Sequence, residues 1–428
     1  MKPIKVGLLG LGTVGTGVVR IIQNHQEDLV MQTGSPIEIT KILVKNAGKS
    51  RNIDVSSAQL TEDAWDIIND GEIDVIVEVM GGIEPTKTYI LEALARGKHI
   101  VTANKDLMAL HGQEIMAHAA RKNCDVFYEA SVAGGIPIIR TIREGFASDR
   151  ITKIMGIVNG TTNYILTKMC QEGADYPEVL KEAQALGYAE ADPTSDVEGL
   201  DAARKMAILA TLGFNVEVAL DDVSVQGISS ISSDDITYSQ RLGYELKLLG
   251  IAERDNDSIS VTVQPTLIKK GHPLASVNGV FNAVYVYGEA VGETMFYGPG
   301  AGELPTATSV VADLVAVSKN TNLGVNGRRV TAPYKQKKLK TDEEVAYKNF
   351  ILLHVSDEPG VLANIAQVFS QHQVSLQSVL QQPNPNNPDA EIIIITHEAN
   401  QASMKKVLNE FTTLDDVRRV VSVYRVED

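Results

Sequence analysis

The 428-residue chain predicts an α/β protein in three parts. A doubly wound parallel sheet is expected over residues 1–132, a mixed α+β domain over 133–320, and a compact βαββαβ unit over 348–428, with a linker at 321–347 between the last two. Three features carry this expectation. An apolar run at the N-terminus passes straight into a glycine turn and a helix. Short apolar runs then alternate with helical segments to about residue 130, the pattern of a parallel sheet covered on both faces. After Asn349, strand-like and helix-like segments recur in the ferredoxin-like order.

Ile4 to Leu9 is mostly apolar, as a strand buried on both faces should be. Gly10-Leu11-Gly12-Thr13-Val14-Gly15 follows at once, and Thr13 begins a helical segment to about Asn24. In isolation such glycines mark only a turn. Between a buried strand and a helix they form a Rossmann-type dinucleotide site, because they let a pyrophosphate approach the helix N-terminus. Gly10, Gly12, Thr13, Val14 and Gly15 are therefore candidate cofactor contacts. Ile37 to Lys45 reads as the second strand. NAD-specific sites usually carry an acid at its end, whereas this chain has Lys45-Asn46, with Lys49 and Arg51 just beyond. NADP should be accepted there as well as NAD, unless these cations are simply solvated.

Ile73 to Val79 is a third strand, leading to Met80-Gly81-Gly82 and a helix from Thr86 to Arg96. His99 to Ala103 is a fourth, followed by Asn104-Lys105 and a helix from Asp106 to Lys122; Asp125 to Glu129 is a fifth. Ligands of such sheets sit beyond the carboxyl ends of the strands, which puts Lys105 at the cofactor edge. A cation is also unfavourable near a helix N-terminus, and that local conflict points to a role for it.

From Arg150 the pattern changes. A strand over Ile151–Val158 leads into Asn159-Gly160-Thr161-Thr162-Asn163 and a helix to about Gln171, with another over Pro177–Leu186. The acidic loop Gly187-Tyr188-Ala189-Glu190-Ala191-Asp192-Pro193 follows. Ser195 and Glu198 have capping-box spacing, predicting a helix from Ser195 to Leu212 that Gly213 ends. On it Asp201 and Lys205 share one face, with Glu198 one turn earlier. A solvated ion pair would be worth a few tenths of a kcal/mol. Beside Glu190, Asp192 and Asp196, however, the ammonium could belong to a site for a small zwitterion, or serve proton transfer.

Strand-like runs recur at Ser258–Leu267, Phe281–Glu289 and Glu293–Tyr297. Gly298-Pro299-Gly300-Ala301-Gly302 then precedes a helix over Pro305–Ser318, and is either a tight turn or a backbone cradle for the cofactor, with Gly302 at the helix start. Asn320 to Ala346 is polar, carries a lysine run at 335–340, and reads as a linker. In the βαββαβ unit, strands at Asn349–Val355, Ser375–Gln382, Ala390–Thr396 and Val417–Tyr424 frame helices at Gly360–Gln371 and Gln401–Phe411. Its Asp357-Glu358-Pro359-Gly360 turn suits small-molecule binding at a helix N-terminus, though such a unit can equally be an oligomerisation module.

The net charge of −15 argues against a nucleic-acid partner, which needs a basic face. No apolar run approaches the roughly 20 residues of a membrane span, and Met1 to Lys5 enters a strand with no signal-peptide layout. Cys124 and Cys170 are too few for a disulfide framework, which fits a reducing cytoplasm, and neither lies in a nucleophile motif. Histidine spacing offers no transition-metal site.

Together the motifs resemble homoserine dehydrogenase over essentially the whole chain. The matching stretches are GLGTVG at Gly10, TANK at Thr102, EASVAGGIPII at Glu129, NGTTNYIL at Asn159 and GYAEADPTSDVEGLDAARK at Gly187. The tail, with DEPGVL at Asp357, resembles an ACT domain, an amino-acid-sensing module. The resemblance implies reversible reduction of L-aspartate 4-semialdehyde to L-homoserine with NADP or NAD, in threonine, methionine and isoleucine biosynthesis. It implies that Glu190 binds the substrate amino group, that Asp201 and Gly187 help hold the substrate, and that Lys205 donates and accepts the proton. Lys105 would lie beside the nicotinamide. It further implies a sodium site on Glu129 and the main-chain oxygens of Val132, Gly134 and Ile136, an amino-acid effector such as threonine, and a homodimer or homotetramer. Two other classes compete: an amino-acid sensor that keeps a nucleotide fold without catalysis, and a dehydrogenase of another semialdehyde or β-hydroxy acid.

Overall fold

The computed structural model describes residues 2–327, 333, 335–383 and 389–428. Its backbone divides into two units: residues 1–154, 204–221 and 282–337, and residues 155–203, 222–281 and 338–428.

In the first unit the apolar runs become β1 (Ile4–Leu9), β2 (Ile37–Leu43), β3 (Gln59–Thr61), β4 (Val75–Glu78), β5 (His99–Thr102) and β6 (Val126–Phe127). They form one parallel sheet in the order β3-β2-β1-β4-β5-β6, so the strand order reverses beside β1. A ligand crevice opens at that switch point, beyond the carboxyl ends of β1 and β4. β3 is short and half polar, and the pattern does not mark it. β6 is shorter than expected because Glu129 already turns into a short 3-10 segment. The helix Thr13–Asn24 forms as expected and packs on the sheet through Val18, Val19 and Ile22. Against it lies the helix Glu303–Leu323, longer than the expected Pro305–Ser318, which adds Ala307, Val310, Val311 and Leu314 to the same core. Gly17 allows this crossing: a Cβ there would come within 2.6 Å of the Glu303 carbonyl oxygen and 2.8 Å of the Ala307 Cβ.

The strand β7 (Ile151–Ile157) runs from the first unit into the second, which contains β8 (Val223–Val225), β9 (Tyr244–Asp255) and β10 (Ser258–Lys269). β9 and β10 form a long antiparallel hairpin from Tyr244↔Lys269 to Asp255↔Ser258. Neither β9 nor the helix Ser233–Arg241 before it stands out in the sequence. β11 (Phe281–Gly288) and β12 (Gly292–Pro299) pair with each other. The tail supplies β13 (Ala346–Val355), β14 (Leu376–Pro383), β15 (Ala390–Thr396), β16 (Ala399–Asn400) and β17 (Val417–Glu427). Its two helices, Val361–Gln371 and Gln401–Phe411, cover one face through Ile365, Phe369, Met404, Val407 and Phe411.

The tail is not a separate bead. β17 pairs in parallel with β10 at Thr266↔Arg425, Leu267↔Val426 and Ile268↔Glu427, so the sheet of the second unit runs β9-β10-β17-β13-β15-β14. The stretch expected as a linker makes contacts of its own: the preceding helix continues to Leu323, Lys335 bridges Val216, and Leu339 bridges Ile259. Residues 328–332 and 334 of that stretch lie outside the described residues.

The expected helix from Ser195 to Leu212 is two helices, Thr194–Val197 and Leu200–Phe214. Gly199 separates them at φ +78, and a Cβ there would press on Val225 and Val263 at 3.1 Å. The short helix starts from Pro193, so Ser195 lies inside it and is not its N-cap. Glu198 consequently leaves the helix face that Asp201 and Lys205 share.

Candidate active site

The three glycines of the first turn act differently. Gly10 takes φ +107, which turns the chain sharply off β1. A Cβ on Gly15 would meet the Gly10 carbonyl oxygen at 2.2 Å, so this position must be bare for the helix to follow the strand closely. A Cβ on Gly12 would meet nothing within 4 Å. Gly12 is the N-cap of the helix, and the open space before it is a cradle that any side chain would fill; the free N–H groups of Thr13 and Val14 open onto it. The residues therefore fit a dinucleotide pyrophosphate. Gly302, at φ +120, starts the helix that crosses Gly17, and Arg20 of the first helix pairs with Glu303 at 2.9 Å. That brings the Gly302 turn beside the helix of the glycine loop.

Lys45 is exposed at the end of β2. Beyond it Arg51 folds the loop upon itself, donating to the carbonyl oxygens of Asn46, Ala47 and Lys49. The stretch carries no acid of its own, but Glu62, from the end of β3, accepts from Ala47 N at 2.7 Å. The structure thus brings a carboxylate to this loop that the local sequence does not contain.

At the end of β4 the structure shows a buried acid that the sequence reading did not single out. Glu78 is fully buried, and Oε1 accepts from the N–H groups of Met80 and Gly81. Its Oε2 accepts from Thr102 Oγ1 at 2.6 Å. Thr102 Oγ1 in turn accepts from Asn104 N, and Asn104 caps the helix Lys105–Lys122 by accepting from Leu107 N. Asn104 Nδ2 returns to the Gly82 carbonyl at 2.7 Å. Burial pushes the Glu78 carboxyl up while these donors pull it down. One buried acid so joins the turn after β4 to the helix start that carries Lys105. An acid ending an otherwise apolar strand was the available signal.

Lys105 is half-buried in the first turn of its helix, and Lys205 half-buried one turn into Leu200–Phe214. Their chain neighbours meet: Arg204 Nε lies 2.8 Å from Asp106 Oδ1. This ion pair draws together the two helix starts on which both lysines sit. Asp201 is 4% exposed and one turn before Lys205.

The acidic loop divides by role. Gly187, at φ +77, ends the helix Tyr176–Ala185, and Thr161 Oγ1 donates to the Tyr188 carbonyl at 2.6 Å. Glu190 has an exposed side chain. Asp192 is committed locally, accepting from Thr194 N and Oγ1, which holds its carboxyl below the usual range. Asp196 and Asp201 both accept from Asn159 Nδ2.

Glu129 is 4% exposed, and its two carboxylate oxygens accept from Ile139 N at 2.7 Å and Arg140 N at 2.8 Å. Its own N–H donates to Asp313, whose carboxyl is pushed up to about 7 by burial and by Glu129, and which also pairs with Arg140. Ala133 and Gly134, at φ 55 and 47, curl the following loop, and the Gly134 carbonyl accepts from Ser309 Oγ. The main-chain oxygens of Val132, Gly134 and Ile136 on this turned loop are hard donors of the kind that suits a monovalent cation, while the Glu129 carboxylate accepts from the main chain at the start of the following helix.

In the tail a cleft of about 750 Å³ is lined by Asp357, Glu358, Pro359, Gly360, Leu362 and Gln381. Gly360, at φ +101, begins the helix there. Among the described residues no helix is long and apolar enough to cross a membrane.

Residues 10–129 match the family model of the homoserine dehydrogenase NAD binding domain, 137–315 that of homoserine dehydrogenase, and 350–416 that of the ACT domain. The homoserine dehydrogenase of Bacillus subtilis (strain 168) is 57% identical over 428 residues, covering 100% of this chain and 99% of its own. That of Mycobacterium tuberculosis (strain ATCC 25618 / H37Rv) is 42% identical over 435 residues, covering 100% and 98%. The crystal structure of a homoserine dehydrogenase from Thiobacillus denitrificans, 40% identical, has a TM-score of 0.93 and covers 100% of this chain and 99% of its own. A hyperthermophilic archaeal homoserine dehydrogenase in complex with NADPH, 25% identical with a TM-score of 0.63, covers 74% of this chain and 98% of its own. The likeness spans nucleotide turn, lysine-bearing helices and tail alike, and the chain belongs to the homoserine dehydrogenase family.

Proposed function

We propose that this chain reversibly reduces L-aspartate 4-semialdehyde to L-homoserine, with Lys205 as proton donor and acceptor. The nicotinamide cofactor, when bound at the Gly10–Gly15 turn with Lys45 and Gly302 at its margins, supplies or accepts the hydride. As the aldehyde becomes an alcohol, negative charge grows on its oxygen. The Lys205 ammonium stabilises that charge and passes its proton to it. In the oxidative direction the neutral amine takes the hydroxyl proton back. Lys105 adds a second cation beside the reacting oxygen, Glu190 grips the substrate ammonium, and Asp201 with Gly187 holds the remainder. The observation that carries this reading is the Arg204–Asp106 pair, which sets the two lysine-bearing helix starts side by side. Lys205→Ala should fold and bind cofactor normally while turnover falls by roughly two to four powers of ten. Near-normal turnover in a folded Lys205→Ala enzyme, measured by nicotinamide absorbance with L-homoserine, would remove Lys205 from the reaction.

Three further assignments belong to the same reading. NADP serves as well as NAD, supported by Lys45 and Lys49 after β2, Arg51 being turned onto the carbonyl oxygens of its own loop. A monovalent cation such as sodium is held by Glu129 and the main-chain oxygens of Val132, Gly134 and Ile136, where it would rigidify the loop packed on the helix Glu303–Leu323. An amino acid such as threonine occupies the Asp357–Gly360 cleft, where helix N–H groups suit its carboxylate. The chain works in the cytoplasm, in keeping with unpaired Cys124 and Cys170, and as a homodimer or homotetramer, for which exposed Val291 and Tyr297 on the β11–β12 hairpin offer apolar surface.

A further inference from the structure

Asn159 joins a helix start to two acids distant in the chain. It is 5% exposed and is the N-cap of the helix Gly160–Glu172. Its Oδ1 accepts from Thr162 N at 2.9 Å and from Thr162 Oγ1 at 3.0 Å. The amide orientation is therefore dictated, because a reversed amide would set its NH₂ against an N–H and its oxygen against two carboxylates. Nδ2 consequently spends both hydrogens on acids, one to Asp196 Oδ1 at 2.7 Å and one to Asp201 Oδ2 at 2.8 Å.

Capping alone does not call for asparagine, since serine and aspartate cap as well. Asparagine alone among good caps also brings two N–H donors on the far side. Two carboxylates drawn to one NH₂ group repel each other, and that group offsets the repulsion while fixing the rotamer of each. Asp201, at the start of its own helix, has one oxygen committed in this way and the other turned by the same constraint. We propose that Asn159 is a positioning residue for the substrate: it aims the Asp201 carboxylate, and the role is separable from its cap. This rests on the reading that Asp201 holds the substrate.

Asn159→Ser and Asn159→Asp both keep a cap and lose the double donor. Asn159→Ser should melt within a few degrees of wild type, leave the KM for NADP+ unchanged within about twofold, and raise the KM for L-homoserine about tenfold or more, with a smaller change in kcat. Asn159→Asp adds a third acid to the pair and should raise that KM further. In an Asp201→Asn background the effect of Asn159→Ser on KM should vanish, because a residue acting through Asp201 has nothing left to aim. An unchanged homoserine KM in both Asn159 variants, or an equal effect of Asn159→Ser with and without Asp201→Asn, overturns the proposal. If Asp201→Asn itself leaves the homoserine KM unchanged, the underlying assignment of Asp201 fails first. A raised KM in Asp201→Asn but not in Asn159→Ser rejects Asn159 alone.

Discussion

Cys124 and Cys170 are held where burial pushes their thiols up, to about 11 and about 12 respectively. At pH 8 only about one Cys124 in a thousand would then be thiolate, and fewer of Cys170. Both should resist iodoacetamide at pH 8 in the folded enzyme and react once it is unfolded, with homoserine oxidation unaffected by the native treatment. Mass spectrometry alongside the activity assay checks this, and rapid alkylation with loss of turnover would contradict it. Lysines divide in the same way by surroundings. Lys247 is 2% exposed, and burial pulls its ammonium down; it spends its hydrogens on Val277 O and Asn278 Oδ1, bracing the loop before β11. Lys205 is half-buried on a helix whose start is tied to the Lys105 helix. Composition and spacing do not separate a bracing lysine such as Lys247 from one proposed for proton transfer; only the resemblance carried by the stretch around Lys205 proposes that role for it.

Helix packing makes the next demand, at Gly17. Replacing glycine by alanine inside a helix ordinarily gains about 1 kcal/mol of helix propensity. Here the new Cβ would come within 2.6 Å of a carbonyl oxygen on the crossing helix, and such overpacking costs typically 1–3 kcal/mol. The clash is with main chain, which cannot rotate away, so the cost wins. Gly17→Ala should lower the melting temperature and, by pushing the Gly302 turn off the glycine loop, raise the KM for the cofactor; a stabilised variant would show that the crossing is looser than this. Gly17 also marks how far the sequence could be read. The strands β1, β4 and β5 and the helix Thr13–Asn24 were legible because apolar period and glycine placement state them locally. The break at Gly199 was not, since a lone glycine inside a helical pattern is tolerated, and the space it needs is taken by Val225 and Val263 from elsewhere in the chain. The same holds for the site. Lys105, Glu190, Asp201 and Lys205 lie in recognisable motifs, whereas the hydrogen bond from Asn159 to Asp201 crosses 42 residues and Thr102 meets Glu78 across 24. Pairings over such distances are made by folding, and no local pattern announces them.

For the molecule as a whole, the question is whether the tail is an appendage or part of the second unit. A linker before it would allow an appendage. The strand pairing of β10 with β17 makes it part of the second unit, and a buried polar joint reinforces this. Asp235, 1% exposed in the capping box of the helix Ser233–Arg241, accepts from Ser232 N and Oγ on one side and from Ser422 Oγ and Tyr424 OH of β17 on the other. Nearby, Tyr238 OH donates to buried Glu391, and Arg425 pairs with Glu253 at 2.8 Å while lying over the Tyr347 ring. Each hydroxyl or N–H left unpaired in such surroundings costs about 1–3 kcal/mol. Asp235→Ala orphans several at once, and its loss should exceed about 3 kcal/mol. Because sheet and joint are shared, residues 222–281 and the tail should unfold together in the wild type, and Asp235→Ala should lower that common transition. Differential scanning calorimetry with hydrogen exchange on β10 and β17 tests this. A tail that melts separately in the wild type, or an unmoved transition in Asp235→Ala, would return the tail to an appendage. A shared transition instead means that an effector stabilising the Asp357–Gly360 end of the tail also stabilises the sheet holding β9 and β10, since whatever binds only the folded form stabilises all that unfolds with it.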